Sequence, residues 1–232
     1  MAGIVILGVT AMLRGVIFDM DGVVIDSHPE HRAAWKAFLL ALGKSVTELE
    51  LDIVLDGGKR EEILRHFLGD LSPQQIVEYG KRKDEILRNH RTRLEPMAGL
   101  VEFLDQLCSS GIRLALATSA GKLRTFHTLQ ELRLAHYFET VVTGDDVTTG
   151  KPDPAIYHLA AARLQERPEC LLAVEDAVSG VKAARSAGLR CAAIAHNGRA
   201  DSLRQAGANP IVEDFRCLSL VQLERCFHEI TY

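Results

Sequence analysis

The chain has 232 residues, 47% of them hydrophobic and 25% charged, the proportions of an ordinary globular protein with room for one or two domains. Its 27 Lys and Arg stand against 31 Asp and Glu, a net charge of -4, and no dense basic block is interleaved with aromatics, which argues against nucleic acid as a partner. The five cysteines are odd in number and never form a C-x-x-C pair, so a reduced, cytoplasmic compartment is expected and no cysteine is assigned to catalysis.

In chain order, Met1 to Leu13 is apolar but has no basic leader, no small-residue cleavage pattern and fewer than the roughly 20 residues of a membrane span. It reads either as an upstream extension ahead of Met12 or as an added edge strand, and no membrane partner is expected. The first clear strand is Val16-Ile17-Phe18, which breaks into the polar loop Asp19-Met20-Asp21-Gly22. From 29 to 95 the spacing is helical (Ala34, Phe38, Ala41, then Ile63, Phe67), bounded by Ser27-His28-Pro29 and by Leu94-Glu95-Pro96-Met97-Ala98-Gly99. Apolar runs at 112–117, 140–143, 171–174, 191–195 and 210–212 follow, separated mostly by helical patterns. Strands alternating with helices predict an α/β protein: a Rossmann-like parallel sheet flanked by helices, residues 1–28 and 96–232, with an inserted all-helical cap at 29–95. An insertion directly after the first carboxylate loop hangs over the carboxyl edge of the sheet and can act as a lid.

Four short motifs carry the chemistry. In Asp19-Met20-Asp21-Gly22 the two carboxylates lie two residues apart on an extended strand end and face the same side, so Asp19 can attack phosphorus while Asp21 protonates the leaving oxygen and later activates water. Gly22 permits the sharp turn behind them; alone, the motif is equally a solvated Asp-Gly turn. Thr118-Ser119 follows a strand and precedes a helix expected near Gly121, which suits either a phosphate cradle or a helix cap. In Gly150-Lys151-Pro152-Asp153-Pro154, proline in the first turn of the next helix would fix Lys151 just outside it. Glu175-Asp176 ends an apolar strand, as a helix cap or as a metal site. Gathering Asp19, Asp21, Glu175 and Asp176 around Lys151 alone would repel a phosphate dianion. A divalent cation together with a protonated Asp21 balances the charge, and ligands that are all hard oxygens favour magnesium.

In this order and spacing, D-x-D-G-x-x-x-D-S, T-S, G-K-P and E-D-A-x-x-G resemble the four signature motifs of the haloacid dehalogenase (HAD) superfamily. The likeness extends to its β-phosphoglucomutase-like branch through Phe18 to Val23, His31-Arg32-Ala33-Ala34-Trp35-Lys36 and Gly57-Gly58-Lys59-Arg60-Glu61. The resemblance implies Asp19 as nucleophile, Asp21 as acid and base, Thr118 on the phosphate and Lys151 as charge stabiliser. It implies Mg2+ on Asp19, Asp176 and the main-chain carbonyl of Asp21, with Glu175 in support. Gly22, His31, Arg60, Ser119 and Ala120 are the expected substrate contacts, although His31 and Trp35 fit equally well as same-face packing neighbours.

The chain departs from the mutase pattern in carrying Asp56 before the cap glycine and Thr118-Ser119-Ala120-Gly121-Lys122 after the second motif; both changes weaken a grip on a second phosphate. The expected activity is therefore a phosphatase acting on a small phosphorylated metabolite, a sugar phosphate, as a monomer. A hexose-phosphate mutase is the alternative. Phosphonate cleavage through a lysine Schiff base, and a non-catalytic binding protein on the same fold, rank below these.

Overall fold

In the computed structural model, residues 12–55, 59–90, 94–195 and 198–228 are described. The two readings of the segment ahead of Met12, and the expectation attached to Asp56, lie outside them. Six strands, β1 (Gly15–Phe18), β2 (Arg113–Ala117), β3 (Thr140–Val142), β4 (Leu171–Glu175), β5 (Arg190–Ile194) and β6 (Ile211–Val212), form one sheet in the order β3-β2-β1-β4-β5-β6, every pair parallel. The chain starts in the middle, builds outward through β2 and β3, then returns to the other side of β1. That reversal makes the gap between β1 and β4 the switch point at which open α/β sheets bind ligands.

The register sets the heights of the functional residues. Phe18 pairs with Leu116 and with Val174, so the next residues, Asp19, Ala117 and Glu175, form one row across three strand tips. Alternation along the strands sends Phe18, Leu116 and Val174 into one core and Ile17, Ala115 and Ala173 into the other. The first core is filled by large side chains from α4 (Leu100–Ser109) and α9 (Leu220–His228). The second is rich in alanine, which lets α6 (Ala155–Leu164) and α7 (Val178–Ser186) approach the strands closely. Helices α5 (Lys122–Glu131) and α8 (Ala200–Ala206) complete the flanking layers. α6 starts at Ala155, with Pro154 as its cap and Pro152 in the turn before it. Lys151 is thus held by a turn ahead of the helix, contrary to the expectation that proline would occupy the first helical turn.

Between β1 and α4 the described residues contain no strand. α1 (His28–Ala41), a 3₁₀ segment (Glu50–Leu55), α2 (Arg60–Leu68) and α3 (Pro73–His90) gather around a separate apolar cluster that includes Trp35, Phe38, Leu51, Leu64 and Phe67. The outgoing and returning chains are joined by an antiparallel bridge between Ile25 and Pro96 and by Met97 N–H donating to the Val24 carbonyl at 2.9 Å. Cys170 and Cys191 are buried thiols, as apolar runs predict, and none of the five cysteines is in a disulfide. No helix among the described residues is long and apolar enough to cross a membrane.

Candidate active site

The row at the strand tips is tied together by one cation. Lys151 Nζ, 2% exposed, donates to Asp19 Oδ1 at 2.6 Å, to Glu175 Oε1 at 2.6 Å and to the Ala117 carbonyl at 3.2 Å, touching every member of the row. Burial works to lower the proton affinity of Lys151, but the carboxylates of Asp19 and Glu175 outweigh it and raise that affinity. Tyr157 on α6 donates its hydroxyl to the same Glu175 oxygen. Glu175 lies so close to α7 that a β-carbon on Gly180 would collide with its carboxylate, which explains the glycine of the E-D-A-x-x-G motif.

Asp19, Glu175 and Asp176 each offer an oxygen within 4.8 Å of the others. Burial pushes the Asp19 carboxyl well above the carboxylate range despite Lys151, and Glu175 and Asp176 push the same way. Burial likewise raises Asp176, partly offset by His28. Asp176 Oδ2 lies 2.8 Å from His28 Nε2, yet it is buried without a hydrogen bond of acceptable geometry; the two are close as an ion pair but misaligned. Gly22, at φ +75°, faces this pair, and a β-carbon there would collide with Asp176 and reach within 2.5 Å of His28 Nε2. A buried cluster of hard oxygens with an orphaned carboxylate atom fits a divalent cation well. Three carboxylates against Lys151 leave two negative charges, which one such ion would cancel.

Asp21 faces elsewhere. Its carboxylate is clamped bidentately by Arg124 of α5, with Nη1 to Oδ2 at 2.7 Å and Nη2 to Oδ1, while Ser27 Oγ also donates to Oδ1. Burial would raise the Asp21 pKa, but the Arg124 guanidinium outweighs it and holds the group well below the usual range. Asp21 is therefore not the protonated group expected from the charge balance of the motifs; it is ionised and Arg124 offsets its charge. His31 of α1 stands 3.0 Å from Arg124 Nη2 and 3.5 Å from Asp21 Oδ1, and Lys83 of α3 reaches its other ring nitrogen at 3.3 Å. Burial, then Lys83, brings His31 down to about 3, so its ring is neutral. Burial, then Arg124, brings Lys83 down to about 7.

Thr118 follows β2, its N–H donating to the Val142 carbonyl at 3.0 Å and its Oγ1 accepting from Ala120 N–H at 3.1 Å, which leaves the hydroxyl proton available. Thr118, Ser119 and Ala120 line the same cleft as Asp19, Asp21, His31 and Arg60. Arg60 is held by Asp84 at 2.9 Å. About 100 Å³ is free inside the cleft. The carboxylates, Lys151, Thr118, His31 and Arg60 were all legible in the sequence. His28, Lys83, Arg124 and Tyr157 were not, because each is a single helical residue whose reach depends on how its helix docks.

Fold and site together define an enzyme of the hydrolase class. A family model described as haloacid dehalogenase-like hydrolase matches residues 13–188, and the chain belongs to that family. It is 35% identical over 214 residues to a phosphorylated carbohydrates phosphatase of Thermotoga maritima, covering 90% of this chain and 99% of that one. It is 30% identical over 186 residues to β-phosphoglucomutase of Bacillus subtilis, covering 76% and 80%. Among solved structures, a mutant of CbbY from Rhodobacter sphaeroides in complex with xylulose-(1,5)bisphosphate superposes with a TM-score of 0.79 at 27% identity, over 92% of this chain and all of that one.

Proposed function

We propose that this enzyme is a magnesium-dependent phosphatase that removes phosphate from a small phosphorylated sugar through an aspartyl-phosphate on Asp19. The observation that carries the reading is the row of Asp19, Ala117 and Glu175 bridged by buried Lys151, with Asp176 beside it. Lys151 engages Oδ1 of Asp19, so Oδ2 is the oxygen available to attack phosphorus. The Thr118 hydroxyl and the amides that follow it receive the phosphoryl oxygens. Asp21 delivers a proton to the leaving oxygen and then takes one from water; before it can do so, Arg124 must release it, since the clamp occupies both carboxylate oxygens. Residues 29–95 act as the cap domain that closes over this chemistry and excludes stray water. Magnesium held by Asp19, Asp176 and the main-chain carbonyl of Asp21, with Glu175 in support, would neutralise charge on the phosphoryl oxygens.

The likeness to a phosphatase of phosphorylated carbohydrates over nearly the whole of both chains supports hydrolysis of sugar phosphates. The likeness to a β-phosphoglucomutase keeps open a second acceptor, a sugar hydroxyl in place of water. The test is phosphate release from a panel of sugar phosphates, run beside isomerisation of β-glucose 1-phosphate, in magnesium and in chelator. Phosphate release that chelator stops and magnesium restores is expected. Clean isomerisation with little free phosphate would replace the phosphatase by a mutase, and full activity in chelator would remove the metal.

A further inference from the structure

Lys59 caps the start of α2, one residue ahead of Arg60, but unlike Arg60 it does not line the cleft. It crosses to the sheet side of the molecule and donates to two main-chain carbonyls, Val147 O at 2.7 Å and Thr148 O at 2.9 Å. Lysines usually keep their charge in water and their rotamers free, so a lysine fixed on two carbonyls 88 and 89 residues away along the chain is informative. Those carbonyls belong to the loop that runs through Gly150 into Lys151. The stem of Lys59 lies on Gly150: a β-carbon there would stand 2.5 Å from Lys59 Cγ and 3.2 Å from Cδ. Gly150 is buried and is not among the glycines with positive φ. Its backbone therefore does not demand glycine; the lysine stem does. A second crossing, Arg199 Nη1 to the Leu55 carbonyl at 3.2 Å, holds the 3₁₀ segment from another side.

We infer that Lys59 is a positioning residue whose clasp on Val147 and Thr148 couples docking of the helical insertion to placement of the loop that carries Lys151. Its catalytic consequence rests on the phosphatase reading above. Closure over a substrate and alignment of the buried cation beside Asp19 then become one event, because one side chain belongs to both.

The experiment compares wild type, Lys59→Met, Lys59→Arg and Gly150→Ala, all as full chains in magnesium, by phosphate release and by limited proteolysis at the crossings near residues 27–29 and 94–99. Losing two charge-assisted hydrogen bonds across the closure contact should lower kcat about tenfold in Lys59→Met. KM and the thermal midpoint should stay near wild type, and Lys59→Arg should recover most of the rate. Gly150→Ala, which displaces the stem and leaves the ammonium intact, should reproduce the kcat loss. The clasp is overturned if Lys59→Met matches wild type in both rate and cleavage, or if the rates simply track the thermal midpoints. A wild type that releases no phosphate from any substrate would defeat the phosphatase reading alone. The clasp would then stand or fall on whether the crossings are cut faster in Lys59→Met than in wild type and Lys59→Arg.

Discussion

The two walls of the cleft carry opposite surpluses of charge. On the sheet side, Asp19, Glu175 and Asp176 outnumber Lys151, and burial drives Asp19 and Asp176 toward protonation. On the facing side Arg124, Lys83 and Arg60 meet the two carboxylates of Asp21 and Asp84, His31 is neutral, and Lys83 is driven toward losing its proton. The acidic wall needs a cation and would receive the phosphoryl group. The basic wall suits the oxygen-rich remainder of a sugar phosphate. On the reading proposed above, a divalent cation would offset the acidic wall, and the negative charge of a phosphate ester would be met by the basic one.

Substitutions on the two walls should therefore behave differently, and the largest effect is expected on the acidic one. Asp19→Asn should reduce turnover by at least about a thousandfold, with circular dichroism unchanged and the thermal midpoint equal or higher, since one of three crowded carboxylates is gone. Substantial remaining activity would mean that another group attacks phosphorus. Next in size, Lys151→Met leaves Asp19 and Glu175 buried without their partner and should cost about 3–5 kcal/mol in urea unfolding at neutral pH. A loss under about 1 kcal/mol would show that the row is not held by this cation.

Lys83→Met should be far milder, at most about 1 kcal/mol at pH 7, because it removes charge from the wall that has it in excess. Its sign should depend on pH. The folded Lys83 titrates near 7, below an unfolded lysine at about 10, so the unfolded chain binds the extra proton between those values and wild-type stability gains from this group as pH rises through that window. Below about pH 7 the buried ammonium is a burden and the methionine variant should be relatively more stable. Parallel stability profiles for wild type and variant from pH 6 to 9 would contradict the contrast between the walls.

The sequence alone determined the chemistry of the acidic wall. An apolar strand that stops abruptly at carboxylates is visible as a break in hydrophobic pattern, and parallel strands of similar length bring their ends to one edge, so Asp19, Thr118 and Glu175 could be placed together without coordinates. It likewise marked 29–95 as helical, because the 3.6-residue spacing there is a local property. Tertiary structure alone decided the partners. Whether Arg124 reaches Asp21, whether Lys83 faces His31 or water, and whether Lys59 crosses to Val147 depend on the distance and rotation between helices that share no local pattern. Gly150 and Gly180 show the same limit: their positions were legible in motifs, while the reasons for them, a lysine stem and a carboxylate packed where a side chain would be, exist only once distant segments meet.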